Sequence, residues 1–380
     1  MLVTKMNFSC DKQLLQDALA LAGRAVSSRT TTPVLECVLL TATENGVFLV
    51  GNDKEICIET AEIPATVEEP GSIALDAKLF TEIIRRLSGD SVVIETDEHF
   101  NALCKSGRSR LKIAGQPADD FPTVPENELK ESKARYKINS SVLRDMIRQT
   151  IFSVATDQTK PVLTGEKFEI KNNVLEIVAI DMFRISYCSH NLSDEEATEP
   201  VDEGAIIPGK ALNELSRILP DNEEISFFFT SNRAVFEAAG FRLISSLLSG
   251  DFIRYDQIYN EDFSTMAITE RVPLLNVFER AVIVAMENRM LPIKIDIKDD
   301  DLTITANSER GQIEDGIPCE TEGKDLSIYF NPKYFIDVLR AMDDERVVLK
   351  FNTVLSPCTI RSINDERGLR YLIVPLRPPS

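Results

Sequence analysis

Three stretches of the chain place apolar side chains at i, i+3 and i+4: residues 11–26 (DKQLLQDALALAGRAV), 140–155 (SSVLRDMIRQTIFSVA) and 273–288 (PLLNVFERAVIVAMEN). That spacing predicts amphipathic helices, and the Asp and Ser that open the first two suit helix caps. Three further helices are expected at 76–87 (DAKLFTEIIRRL), 208–219 (PGKALNELSRIL) and 331–342 (NPKYFIDVLRAM). Between them lie alternating runs, such as SVVIETDE from Ser91 and RVVLKFNTV from Arg346. Alternation predicts antiparallel strands with one covered face.

These elements recur in a fixed order. Each of three units reads helix, strands, helix, strands, an internal repeat. A Pro opens an apolar strand in PVLECVLL (Pro33), PVLTGEKFEI (Pro161) and LPIKIDI (Pro292), at spacings of 128 and 131. Unit ends match too: RLKIAGQPADDFP from Arg110, RLISSLLSGDFI from Arg242, LRYLIVPLRPP from Leu369, with Phe121 and Phe252 131 apart. Polar stretches at 122–137 and 253–265 join the units. The expected domains are 1–130, 131–256 and 257–380, each of ordinary size, since single cores rarely grow past about 250–300 residues.

The second helix of each unit carries a Lys and, seven residues later, an Arg: Lys78 and Arg85, Lys210 and Arg217, Lys333 and Arg340. Seven residues turn through about 700°, so each pair lies nearly on one line. The apolar face of the first copy is expected to take Leu79, Ile83, Ile84 and Leu87. The first helices add Lys12, Arg24, Arg144, Arg148 and Arg280. One such helix is an ordinary solvated face. Three aligned copies in a chain of formal charge −19 point to one gathered basic surface, suited to loose phosphate contacts without base reading. The acid left elsewhere would discourage nucleic acid from binding anywhere but that surface.

Composition narrows the classes. Hydrophobic residues make up 43% and charged residues 27%, a soluble globular balance. No apolar run reaches the roughly 18–20 residues of a membrane span, and MLVTKMNFSC lacks a secretory apolar core, so a cytoplasmic chain is expected. The seven Cys are odd in number and show no CxxC pairing, which fits reduced thiols. The two His, His99 and His190, lie in expected loops. No HExxH, GxGxxG, GxxxxGK or GxSxG is present, and Asp119–Asp120 reads as a solvated turn. Neither an enzyme, a metal site nor a cofactor is expected.

The stretches SSRTTTPVLECVLL (27–40), GQPADDFP (115–122), FSVATDQTKPVLTG (152–165), VAIDMFRIS (178–186), NPKYFIDVLRAM (331–342) and the ending YLIVPLRPPS resemble the bacterial DNA sliding clamps, the beta subunits of the replicative DNA polymerase III. The resemblance covers essentially the whole chain. It implies an α+β fold of three tandem clamp domains, with antiparallel sheets outside and helices lining a ring. Two chains would join head-to-tail around double-stranded DNA, without sequence specificity. The ring would tether the DNA polymerase III catalytic subunit and other proteins that carry a clamp-binding motif. An ATP-dependent clamp loader would open it.

Carried over position by position, Arg29 and Lys160 match loop residues that touch DNA. A pocket for partner peptides is implied at Leu163, Gly165, Ile180, Met182, Arg184, Ile185, Ile253, Gln257, Ile258, Pro357, Leu372, Val374, Pro375, Leu376 and Arg377. Leu, Ile, Val and Met there suit an adaptable apolar groove. At the subunit interface Leu111 and Ile113 would meet Ile283 and Val284, with RLKIAG as an edge strand pairing across the joint. The family often has Thr-Asp-x-His-Arg-Leu where this chain has Ile180 to Ile185, and commonly Pro at Ile253 and a basic residue at Gln257. A tail, Pro378-Pro379-Ser380, follows Arg377. The alternative reading is a repeat scaffold that binds peptide motifs without encircling DNA; it leaves the basic helices unexplained.

Overall fold

The computed structural model describes residues 5–27, 30–132, 134–193, 195–197, 201–255, 262–285, 292–309, 311–364 and 368–378. Seven helices occur among them: α1 (Lys12–Ala22), α2 (Ala77–Arg86), α3 (Glu126–Leu129), α4 (Ser140–Thr150), α5 (Gly209–Ile218), α6 (Arg271–Ala285) and α7 (Pro332–Ala341). Asp11, Asp76 and Asn331 cap α1, α2 and α7 by accepting a backbone N–H of the first turn.

Packing gathers the chain into two compact units that cut across the repeats. The first comprises Met1–Ser141, Asp194–Glu199 and Glu214–Leu247; the second comprises Val142–Ser193, Pro200–Asn213 and Leu248–Ser380. The physical reason is sheet continuity across the repeats. In the first unit the last strand of repeat two, Phe241–Ser246, pairs antiparallel with Ile56–Thr60 of repeat one, joining both into a 13-stranded sheet. In the second unit Arg370–Ile373 of repeat three pairs in the same way with Arg184–Asn191 of repeat two, within a 9-stranded sheet. A separate 4-stranded sheet ends on Gln312–Pro318.

In the first unit α1 and α2 bury Leu15, Leu19, Phe80 and Ile84 against Val38, Leu40, Leu49, Ile73 and Ile94 of the sheet. Leu79 departs from the expected apolar face: it is 50% exposed, and Phe80 takes the inward place. The cap sets this register, because the Asp76 carboxylate accepts from the Leu79 N–H and fixes the first turn. The expectation of one covered face also fails beside the joint. Alternate residues Cys37, Leu39, Val50 and Cys57 are buried on the other face, under Phe121, Val124 and Leu129 and beside Phe228, Val235 and Ile244. The stretch between repeats therefore packs as a second core. In the second unit the rings of Phe278 (α6) and Phe335 (α7) stack at 4.5 Å over the third repeat's core.

One core position breaks the repeat. Val38, Glu166 and Ile293 hold equivalent places, paired opposite Leu75, Ile207 and Phe330. Glu166 is 0% exposed and neither carboxyl oxygen has a hydrogen-bond partner. Burial pushes its carboxyl up from about 4.5 to about 8, opposed only by the Thr150 hydroxyl, which itself donates to the Met146 carbonyl at 2.8 Å. The folded chain thus keeps a proton that the unfolded chain releases above about pH 4.5. Stability from this group is complete below that pH, falls as pH rises toward about 8, and is level beyond it. Glu166→Val, which installs the repeat-one residue, is expected to raise the melting temperature at pH 8 by an amount equivalent to about 2–4 kcal/mol, with the gain shrinking toward pH 4.5. Thermal unfolding of both proteins across that range checks it.

Candidate nucleic-acid and peptide interfaces

The six Lys and Arg of the second helices, Lys78, Arg85, Lys210, Arg217, Lys333 and Arg340, are all exposed. Each Arg faces a carboxylate: Arg85 with Glu82 at 2.7 Å, Arg217 with Glu214 at 2.6 Å, Arg340 with Glu279 of α6 at 2.7 Å. A phosphate must compete with that carboxylate, which keeps any single contact weak. Several first-helix residues have structural duties. Lys12 donates to the Leu87 carbonyl at the end of α2 (2.6 Å), and Arg24 pairs with Glu214 at 3.0 Å. Arg148 donates to the Ala341 carbonyl (2.8 Å) and pairs with Asp145 and Asp343, while Arg280 pairs with Asp315 at 2.6 Å. Arg144 is half-buried and Lys160 is exposed. Arg29 lies outside the described residues.

In the second unit Leu163, Ile180, Ile185 and Leu372 are buried in one cluster, with Ile253 and Val374 packed against it. Val178 and Tyr255 belong to the same cluster; sequence reasoning missed both, although Val178 heads the stretch VAIDMFRIS. Gly165 is structural: a Cβ there would lie 2.4 Å from the Ile207 carbonyl oxygen of the neighbouring strand. The Val374 N–H donates to the Phe183 carbonyl (2.8 Å) and the Leu376 N–H to the Tyr329 carbonyl (2.7 Å), which fixes the course of the chain end. Pro357 and Pro375 are half-buried and Arg377 is exposed; Gln257 and Ile258 lie outside the described residues.

Arg184, 9% exposed, is a clasp rather than an open cation. Its Nε donates to Asp181 at 2.9 Å, Nη1 to Asp337 of α7 at 2.6 Å and Nη2 to the Phe152 carbonyl. Its Cζ lies 4.8 Å from the centre of the Tyr334 ring and 5.3 Å from that of Phe152. Asp181 also accepts the N–H groups of Phe183 and Arg184, which tightens the hairpin tip. Met182 (63%), Phe183 (47%), Val354 (53%) and Leu355 (77%) are exposed at the end of the sheet where Val374–Leu376 leaves it, since Ile373 pairs with both Arg184 and Cys358. An apolar surface so placed extends the buried cluster outward.

Two strands with an open edge lie beside the residues expected at a subunit interface. Ser109–Gln116 pairs fully with Asn101–Ser106, but on its other side only Gly115 and Gln116 have partners. Gln312–Pro318 has a partner on one side alone. Near them Leu111 (40%) and Ile283 (76%) are exposed, and Val284 is half-buried. Ile113 is 2% exposed and packs in its own unit's core, leaving its backbone free for a partner but not its side chain.

All seven Cys are buried and unbridged. Among the described residues no helix is long and apolar enough to cross a membrane, and no group of His, Cys, Asp or Glu could hold a metal ion.

Three family models match in order: the DNA polymerase III beta subunit N-terminal domain over residues 6–125, its central domain over 137–253 and its C-terminal domain over 257–377. The beta sliding clamp of Bacillus subtilis (strain 168) is 33% identical over 384 residues, covering 98% of this chain and 100% of that one. A crystal structure of a DNA polymerase III beta subunit from Eubacterium rectale is similar at a TM-score of 0.92 and 35% identity, over 98% of this chain and 100% of that chain. The sliding clamp of Pseudomonas aeruginosa, crystallised with griselimycin, is similar at 0.91 and 27%, with the same coverage. With all three domain models in sequence and full-length likeness to solved clamps, this chain belongs to the DNA polymerase III beta subunit family, the bacterial sliding clamps.

Proposed function

We propose that two copies of this chain close head-to-tail into a ring that encircles duplex DNA and slides along it. The ring tethers the DNA polymerase III catalytic subunit and other proteins that bring a short clamp-binding peptide. The chain is a processivity factor with no chemistry of its own, it works in the cytoplasm, and an ATP-dependent loader opens it. Its domains are 1–130, 131–256 and 257–380.

The observation that carries this reading is the repetition of one joint. At the first joint Leu243 stands opposite Ile58, and Arg242 opposite Glu59 with an ion pair between them. At the second Tyr371 stands opposite Ser186, and its ring meets that of Phe152 at 6.0 Å. The counterparts of Leu243 and Tyr371 in repeat one, and of Phe152 in repeat three, are the exposed Leu111 and Ile283. A third joint of the same register sets Leu111 of one copy opposite Ile313 of the next and Arg110 opposite Glu314. It buries Ile283 beside Leu111 and leaves neither strand edge open. Such a contact is heterologous, and two copies close it when each contributes half a turn.

The Lys–Arg helices then face the DNA. Pairing of each Arg with an acid favours sequence-blind, short-lived phosphate contacts, which a sliding ring needs. The triple variant Arg85→Gln, Arg217→Gln, Arg340→Gln is expected to keep its fold and leave DNA faster. The salt dependence of its residence on circular DNA should be shallower by about one unit of log–log slope for each phosphate that is no longer neutralised. An unchanged slope would remove these helices from the DNA surface. The clients bind the apolar cluster around Leu163, Ile180, Ile185 and Leu372, with Val374, Pro375 and Leu376 at its rim. The griselimycin-bound relative supports a ligand site on this fold.

A further inference from the structure

We propose that Tyr255 is a positioning residue for the client-peptide groove: its hydroxyl, tied to Glu169 and Glu176, holds Phe252 and Ile253 in place as one wall. The inference rests on reading that groove as the client site. Tyr255 is 3% exposed and lies in the same cluster as Leu163, Ile180, Ile185 and Leu372, against which Phe252 and Ile253 pack. Its ring is 6.2 Å from that of Tyr187, and the Lys167 ammonium lies 5.5 Å from its centre.

The polar end of this side chain is unusual for a stretch between domains. Its Oη lies 2.8 Å from Glu169 Oε2 and 2.9 Å from Glu176 Oε2. A phenol carries one proton, so it donates to one carboxylate at a time while the other competes for it. Glu169 and Glu176 stand directly opposite each other on neighbouring strands, where like charges repel. The surroundings relieve that repulsion. Lys167 and Lys171 each lie 2.8 Å from Glu169, and the Tyr187 hydroxyl donates to Glu176 at 2.8 Å. Despite partial burial, these bonds hold the Glu169 carboxyl down at about 2, so it stays an ionised acceptor throughout the working range.

An anchor is needed because residues 251–255 form neither helix nor strand, and Phe252 and Ile253 are only half-buried. Without it, a peptide would bear the entropy of ordering this wall as it binds. The first joint solves the same task differently. Val124, at the place of Tyr255, packs into the apolar cluster there. The stretch on either side of it is held by Asn52 donating to the Pro122 carbonyl (2.9 Å) and by Arg242 paired with the Glu126 side chain. The hydroxyl anchor thus belongs to the joint that carries the client groove.

The test uses the full-length chain and a fluorescent peptide copied from the clamp-contacting segment of the polymerase catalytic subunit. Tyr255→Phe keeps the ring and loses the bond. It is expected to weaken peptide binding about 10–100-fold, the worth of one hydrogen bond to a charged group. Melting temperature and residence on circular DNA should stay close to wild type. Glu169→Ala with Glu176→Ala should give the same loss, with no further loss when Tyr255→Phe is added. Glu169→Gln with Glu176→Gln, which keeps acceptors in place, should recover most of the affinity. Wild-type binding by Tyr255→Phe, or losses that add, would overturn the anchor while leaving the groove intact. A wild-type chain that fails to bind the peptide would overturn the groove and the anchor together.

Discussion

Leu111→Asp is expected to fold normally and to fail to dimerise. In the single chain Leu111 is 40% exposed, so a carboxylate there costs folding little. At the joint its counterparts Leu243 and Tyr371 are both 0% exposed. Closing the ring would therefore bury an unpaired carboxylate opposite Ile313 and beside Ile283, at a cost of several kcal/mol for each of two joints. Ile283→Asp should act alike, since Ile283 is 76% exposed in the single chain. Ile113→Asp is the contrast. That residue is 2% exposed in its own core, so the change should unfold the first unit instead of splitting the dimer. Sedimentation velocity separates the cases: dimeric wild type, folded monomers for Leu111→Asp and Ile283→Asp, aggregate or unfolded chain for Ile113→Asp. A dimeric Leu111→Asp would refute the joint.

Arg184→Ala is expected to be the most damaging single change in the second unit outside its apolar core. The guanidinium joins Asp181, Asp337 and the Phe152 carbonyl, and lies over two aromatic rings. The side chains of Asp181 and Asp337 are only 16% and 23% exposed. Truncation leaves both without their cation in a poorly hydrated place, a loss of about 3–5 kcal/mol. For a unit of this size that corresponds to a melting temperature lower by roughly 10 °C. Arg184→Lys should recover only part of it, because an ammonium cannot meet three acceptors in a plane and stack on rings as well. The drop should be smaller in the triple variant Arg184→Met, Asp181→Asn, Asp337→Asn, which removes the stranded charges together with their partner. Differential scanning calorimetry on the set checks the order.

The threefold repeat was legible because each copy carries its own helix spacing and strand alternation. The basic helix positions were legible because charge at i and i+7 survives in every copy. The joints were not. Pairing of Phe241–Ser246 with Ile56–Thr60 links residues some 180 positions apart, and nothing in either strand alone names its partner. For the same reason the second covered face, at Leu39, Val50 and Cys57, went unseen: its cover comes from the stretch around Phe121–Leu129 and from repeat two. Leu79 was misplaced because the five large apolar residues of DAKLFTEIIRRL allow two inward faces, and the Asp76 cap decides between them. Glu166 was hidden by its type. In GEKFEI a Glu reads as outward, yet it shares the inward face of Phe168. Of the residues that family likeness named for a pocket, Leu163, Ile180, Ile185 and Leu372 share one buried cluster, but the likeness could not tell that the Arg184 guanidinium is already committed within the fold.

The central claim is topological, and the most direct measurement is retention on a nicked circular duplex, loaded with clamp loader and ATP, before and after one cut that linearises it. The ring account predicts stable retention on the circle and rapid loss from the free ends of the linear form, with Leu111→Asp absent from both. Equal loss from circle and line would contradict it, and would leave the chain a peptide-binding scaffold whose basic helices serve some other surface.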